Sequence, residues 1–183
     1  GGVTLSGVVD SVGTELDTLN IVSNGSDDET NTVSAVGSGG NLAADADINL
    51  SGSQDLTVNG IANQDLGSID GSGAEGDLTV DASSVASDSG DDFSIAGGSG
   101  DDKLTGGSVD TILSGNDGDD ELIGDSGKDT LTGGAGADTL TGNGDNDKDT
   151  FVFAEGDGGS TSDTRDEITD LGEGDKLDVT DFG

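Results

Sequence analysis

The chain has 183 residues, of which 40 are Asp or Glu and only five Lys or Arg, giving a formal charge of −35. Nucleic acid and direct insertion into an anionic membrane are excluded as partners, because both need Lys and Arg against phosphate. With neither Cys nor His, the chain has no disulfide, no thiolate or imidazole metal ligand and no Ser-His-Asp triad.

Pro, Met, Trp and Tyr are also absent, and 28% of the residues are hydrophobic. Composition of this kind borders on that of chains that stay disordered. No apolar run approaches the roughly 20 residues of a membrane span, and residues 1–20 lack the basic start of a signal peptide. The Gly-Gly start and the Asp-Phe-Gly stop suggest a piece of a longer protein.

Residues 1–90 carry acid and no base. Their clearest pattern is Asp55-Leu56-Thr57-Val58-Asn59, which recurs as Asp77-Leu78-Thr79-Val80-Asp81. Leu19-Asn20-Ile21-Val22 and Ile48-Asn49-Leu50 resemble it. Short strands between Gly, Ser, Asn and Asp turns predict an irregular β-solenoid, with a soft boundary near Ser87–Asp92. The competing description is a flexible Ser/Gly linker. Acidic turns such as Asp27-Asp28-Glu29 read as solvated charge rather than ligands.

From residue 91 to 149 the pattern becomes strict. Leu104, Leu113, Leu122, Leu131 and Leu140 stand nine residues apart, in nonamers that begin at Gly97, Gly106, Gly115, Gly124 and Gly133. The sixth position is Asp102, Asp120, Asp129 and Asp138; the second nonamer has Thr111 there and Asp110 one place early. A nine-residue period with one apolar position and one fixed aspartate predicts a calcium-binding parallel β-roll. The opening glycine fits a loop that turns with φ > 0 and approaches an ion closely. Each leucine is the middle of a short strand and points inward. Two nonamers complete a coil, so Leu104, Leu122 and Leu140 stack on one sheet, ~4.8 Å apart. Leu113 and Leu131 stack on the other, with Ile95 as an earlier member.

A core one residue wide is too thin to hold such a stack unaided. Calcium, a hard cation taking six to eight oxygens, supplies what is missing when carboxylates and carbonyls of successive loops share it. The candidate ligands are Gly98, Ser99, Gly100, Asp101 and Asp102 in the first loop, and Asp110 in the second. Asn116, Asp117, Asp119 and Asp120 follow in the third, then Asp125, Gly127 and Asp129 in the fourth. Gly134, Gly136 and Asp138 serve the fifth, and Asn143, Asp145, Asp147 and Asp149 the last. Spacing alone gives about four ions, weakest at Thr111, with about four to six for the whole chain. Without them the stacked carboxylates repel by a few kcal/mol per pair at an effective dielectric near 20, so metal binding and folding are expected to be one event.

The train ends on an apparent two-residue insertion over Gly142–Thr150, which leaves Asp147 or Asp149 as the sixth-position residue. Residues 150–183 are expected to cap the open end. Phe151-Val152-Phe153 reads as a strand, and Gly172–Asp175 as the turn of a hairpin. Asp166 is either part of that cap or a further ligand. An EF-hand at Asp145-x-Asp147-x-Asp149 is rejected, because Thr150 stands where that loop needs glycine.

Residues 97–141, with Asp149-Thr150-Phe151-Val152-Phe153 and Asp166-Glu167-Ile168-Thr169-Asp170-Leu171-Gly172-Glu173-Gly174-Asp175-Lys176-Leu177-Asp178, resemble the RTX (repeats-in-toxin) calcium β-roll family. That family ends in a similar Asp-Thr-Phe-Val-Phe strand and acidic segment, with Phe where this chain has Leu171. The resemblance implies an all-β, right-handed parallel β-solenoid, calcium at the sixth-position aspartates, type I secretion and folding outside the cell. The Thr-, Ser- and Asn-rich strands of the first half are similar to the solenoid of RTX-type bacterial surface-layer proteins. That likeness implies a structural, non-enzymatic protein of the cell surface, whose subunits form a calcium-bridged lattice. Cell-surface polysaccharide is an expected partner through parts outside this chain. The alternative is a secretion and folding module of an exported enzyme or adhesin.

Overall fold

The structure is a computed structural model that describes residues 2–7, 16–25, 30–34, 36, 42–61, 66–86, 92–143, 147–154, 157 and 165–179. Among them there is no helix. The strands are β1 (Gly2–Gly7), β2 (Leu16–Asn24), β3 (Asn31–Ser34), β4 (Leu42–Gly52), β5 (Leu56–Asn59), β6 (Leu66–Ala74), β7 (Leu78–Asp81) and β8 (Phe93–Ala96). They continue with β9 (Lys103–Thr105), β10 (Thr111–Asp117), β11 (Glu121–Ile123), β12 (Thr130–Ala135), β13 (Thr139–Thr141), β14 (Thr150–Val152), β15 (Glu167–Ile168) and β16 (Lys176–Asp178).

From β2 onward the strands alternate between two sheets. One runs β1-β2-β4-β6-β8-β10-β12-β14-β16, and the other β15-β13-β11-β9-β7-β5-β3. Every pairing is parallel except that of β1 on β2, which is antiparallel. This is a β-solenoid, and its registers follow the sequence repeats. Leu104, Leu122 and Leu140 are in register, and the column extends upward to Val80 and Val58 and downward to Ile168. The opposite column runs Leu19, Ile48, Ile69, Ile95, Leu113, Leu131, Phe151 and Leu177. It crosses the region of the expected boundary without a break, residues 87–91 themselves lying outside the described part.

Two expectations are corrected. The segment after β14 is not a hairpin, because β15 and β16 lie in different sheets, each parallel to the coil before it. The turn at Gly172–Asp175 is therefore a corner of one more coil. It forms there because Asp166-Glu167-Ile168 and Asp175-Lys176-Leu177 repeat the Asp-x-apolar triplet of the nonamers, nine residues apart. The opening glycines are not at positive φ either. Left-handed backbone falls at the second position, in Asn116 (φ 80°), Asp125 (φ 74°), Gly134 (φ 112°) and Asn143 (φ 92°), and at the fourth, in Gly118, Gly127 and Gly136.

The core differs along the axis. Sixteen of the 24 buried apolar side chains of the described residues lie between Leu42 and Ile95, and six between Leu104 and Phe151. At roughly 1.5–3 kcal/mol for each fully buried large side chain, the first group far outweighs the second. Over 97–153 the six apolar side chains are matched by six buried polar ones, Asp102, Thr111, Asp120, Asp129, Asp138 and Asp149.

Candidate metal centre

The sixth-position residues form two columns, one on each edge of the solenoid, held by a repeated backbone-to-carboxylate bond. On the first edge Leu78 N donates to Asp102 Oδ1 (2.7 Å), Asp102 N to Asp120 Oδ1 (2.8 Å), Asp120 N to Asp138 Oδ1 (2.9 Å), and Asp138 N to Asp166 Oδ1 (3.1 Å). On the second, Thr111 N donates to Asp129 Oδ1 (2.8 Å), Asp129 N to Asp149 Oδ1 (2.9 Å) and Asp149 N to Asp175 Oδ1 (3.2 Å). Each carboxylate thus fixes the backbone of the coil before it. The insertion is resolved in favour of Asp149, which is buried, whereas Asp147 is exposed. Asp145 lies outside the described residues.

The fifth-position residues make a second ladder that runs the other way. Asp77 N, Asp101 N, Asp119 N and Ala137 N donate to Oδ1 of Asp55, Asp77, Asp101 and Asp119, all at 2.8–3.1 Å, and Lys128 N donates to Asp110 Oδ1 (2.9 Å). Asp101, Asp110 and Asp119 are exposed, as is Asp117. In this structure Asp101, Asp110 and Asp119 serve as hydrogen-bond acceptors along the outer rim.

The second carboxylate oxygen separates the loops into two kinds. In the first loop Asp102 Oδ2 accepts from Gly98 N (2.6 Å), and in the second Thr111 Oγ1 accepts from Gly107 N (3.3 Å). Neither Gly98 nor Gly107 is left-handed, so each turns its N–H inward and closes its loop. Left-handed backbone at Asn116 and Gly134 changes that geometry. There Asp120 Oδ2 and Asp138 Oδ2 are buried with no hydrogen-bond partner. A buried carboxylate oxygen without a donor is costly unless a cation faces it.

The opening glycines keep the space beside these oxygens clear. A Cβ on Gly115 would lie 2.0 Å from Asp120 Oδ2 and 2.5 Å from the carbonyl of Gly133, one coil on. A Cβ on Gly97 would lie 2.2 Å from Asp102 Oδ2 and 2.6 Å from the carbonyl of Gly115. Two oxygens from consecutive coils therefore border one spot that only glycine leaves free. The fourth-position glycines meet the coil before them: a Cβ on Gly118 would lie 2.1 Å from Gly100 O, and one on Gly136 1.9 Å from Gly118 O.

The electrostatics agree. Burial raises the Asp120 carboxyl to about 7, against the hydrogen bond from Asp102 N and helped by the charges of Asp102, Asp138 and Asp101. Burial raises Asp138 to about 6, with Asp166, Asp119 and Asp157 adding to it. Asp102 and Asp166 are raised as well, burial again being the leading cause. Among the described residues no three acidic side chains are gathered closely enough to hold a metal by carboxylates alone. The donor set that does fit is mixed, a buried aspartate with backbone carbonyls from the next loop, and it suits a hard, oxygen-seeking cation such as calcium.

Three placements were not foreseen in the sequence. Asp175 ends the second column and also accepts from Gly172 N (2.7 Å). Asp170 takes Gly142 N (3.0 Å) and Asn143 N (2.6 Å) on its two oxygens, clamping the last loop to the final coil. Asn116 and Asn143 act through their side-chain amides, Asn116 Nδ2 donating to Gly97 O (2.8 Å) and Asn143 Nδ2 to Asp125 Oδ1 (3.3 Å). The signal for Asp175 was present as the resumed nine-residue spacing.

The sequence model of the RTX calcium-binding nonapeptide repeat matches residues 87–113 and 114–149, in four copies. No curated protein and no solved structure matches the chain. The matched segment, about a third of the chain, is the glycine- and aspartate-rich part of the solenoid, and it consists of RTX calcium-binding repeats. Such repeats bind calcium, and four copies accommodate several ions. Proteins that carry them are typically secreted and extracellular.

Asp120 and Asp138, with backbone carbonyls such as that of Gly133, would hold the ion, and calcium there would supply the positive charge that the buried carboxylates lack. The chain's own part is to aim Asp120 and Asp138, to keep side chains out of the space by Gly115 and Gly133, and to hold the register by the two ladders.

Proposed function

We propose that this chain is a structural part of a bacterial surface layer, exported by a type I system and folding and assembling into a lattice once it meets external calcium. The observation that supports it best is the continuity of the solenoid. From Leu16 to Asp178 the described strands build one stack with two long faces, lined in its later part by buried aspartates. The absence of His and Cys from the sequence points the same way, since an acidic stack without these side chains suits construction better than catalysis. Bound calcium leaves the chain far below neutrality, so subunits that touch need further calcium between their acidic surfaces.

The test is assembly followed by light scattering and electron microscopy during a calcium titration. Ordered sheets that appear with calcium and dissolve in chelator are the expected result. Sheets that grow equally well in excess chelator, or monomers that persist at millimolar calcium, overturn the proposal.

A further inference from the structure

The two sixth-position columns change character along the axis. On the first edge the buried residues in register read Leu56, Leu78, Asp102, Asp120, Asp138, the last three being carboxylates. On the second they read Phe93, Thr111, Asp129, Asp149. The same inward site is thus filled by hydrocarbon in the first half and by a carboxylate in the second, with Thr111 at the change. Thr111, a break in the repeat when the sequence is read alone, is the step between Phe93 above it and Asp129 below.

The loops at the junction are closed by protein alone. Asp102 Oδ2 is bonded to Gly98 N and Thr111 Oγ1 to Gly107 N, whereas Asp120 Oδ2 and Asp138 Oδ2, further along, have no donor. The same junction loops are bonded to the first half by Ser99 N to Ala74 O (3.1 Å) and Ser108 N to Val85 O (2.9 Å). The first half is also where two thirds of the buried apolar side chains lie.

We propose that the solenoid is a two-part conformational device. Residues 42–96 are a seat that stays folded without metal, and calcium orders only the roll, which winds onto that seat from Asp102 and Thr111 outward. The division follows from what fills the inward site. Hydrocarbon needs no counter-ion to be buried, while a carboxylate without a donor does. A preformed edge also spares the roll its most costly step, since the first coil of a stack has no neighbour to bury against. The inference rests on calcium holding the roll, and not on what the assembled protein builds.

Hydrogen exchange of the whole chain, resolved by segment, tests it in chelator and in calcium. In chelator, amides of β4–β8 are expected to be protected and those of β9–β14 to exchange freely. Calcium is expected to protect β9–β14 and to leave β4–β8 changed by less than about twofold. Unprotected β4–β8 in chelator overturns the seat. Equal protection of both halves in chelator overturns the division. Protected β4–β8 with β9–β14 free even in calcium removes the calcium reading of the roll, and with it the winding step, while leaving the seat intact.

Val80→Ala tests the coupling, because Val80 lies in register with Leu104 across the junction. Weakening that contact is expected to raise the calcium midpoint for ordering β9–β14 by about threefold or more. The seat's own protection in chelator is read on the same variant, so that a midpoint left unchanged while the seat is loosened counts against templating.

Discussion

Asp102 donates its backbone N–H to Oδ1 of Asp120, 18 residues further along, at 2.8 Å. That single bond states the construction of the roll, in which a residue's backbone is held by the carboxylate two nonamers ahead. One oxygen of each buried aspartate is thereby committed to the protein, and only the second is available to a metal. Asp102 has spent its second oxygen on Gly98 N, and Asp120 has not.

The two aspartates should therefore respond differently to substitution. Asp120→Asn keeps an acceptor for Asp102 N and removes the charge, so the calcium midpoint is expected to rise by about tenfold, ligand charge being a main determinant of calcium affinity. Asp102→Asn should shift it by less than about threefold, because its second oxygen is already bonded to backbone. Circular dichroism during calcium titration measures both. Equal shifts for the two variants would show that the orphaned oxygen of Asp120 has no special part in binding.

Gly115→Ala should disable the site without touching a ligand. The new Cβ has Asp120 Oδ2 at 2.0 Å and Gly133 O at 2.5 Å, and neither can retreat, the first being buried and the second backbone. A cost of about 1–3 kcal/mol is expected, in the range typical of overpacking at a buried site. Ser114→Ala, which loses only an exposed hydrogen bond from Ser114 Oγ to Asn116 Oδ1 (3.1 Å), should cost no more than about 1 kcal/mol. Thermal melts in saturating calcium compare the two. A Gly115→Ala protein as stable as Ser114→Ala would mean that the loop relaxes freely, contrary to its packing.

Much of this was legible in the sequence because a nine-residue period forces a register. Once Leu104, Leu122 and Leu140 share a column, the loops of alternate nonamers must share an edge. The sheet pairing and the inward aspartates follow. Backbone hydrogen bonding was not legible, since nothing in Gly97-Gly98-Ser99-Gly100 announces that Gly98 turns its N–H onto Asp102 while Asn116, at the same place in a later loop, is left-handed. The difference comes from the neighbour, because the first loop stacks on the turn at Ala74 and the third on another repeat. The hairpin reading of residues 166–178 failed for a related reason. A glycine-rich turn between two short strands looks the same locally whether the strands pair with each other or with the coil before, and the Asp-x-apolar triplets decided it.

Acid and calcium should act as substitutes at the buried aspartates. The folded Asp120 and Asp138 carboxyls lie at about 7 and about 6, above the 3.8 of an unperturbed aspartate. The folded roll therefore holds protons that the unfolded chain has released, and by linkage its metal-free stability is greatest near pH 4 and falls as pH rises through 6–7. In chelator, β-sheet signal is expected to increase when pH is lowered from 8 to about 5. With metal the trend turns over, because protons compete for the same oxygens, and the calcium midpoint should climb as pH falls below about 7. A midpoint that is flat between pH 5 and 8 would remove the buried aspartates from the binding reaction.

The last described coil should depend strongly on Asp170, which is half-buried. Its two oxygens accept from Gly142 N and Asn143 N, the entry to the loop that carries Asp149, so the side chain clamps the final coil to the roll. Asp170→Ala leaves both N–H groups to find water, at a cost of about 1–3 kcal/mol for hydrogen bonds to a charged acceptor. Because β15 and β16 are the outermost described strands of their sheets, the loss should be local: earlier proteolysis between β14 and β16, and faster amide exchange at Gly142 and Asn143, with β4–β8 unaffected. Asp170→Asn, which keeps one acceptor oxygen, should recover part of the protection. If Asp170→Ala instead melts the whole solenoid in one step, the coils are more strongly coupled than nearest-neighbour stacking allows.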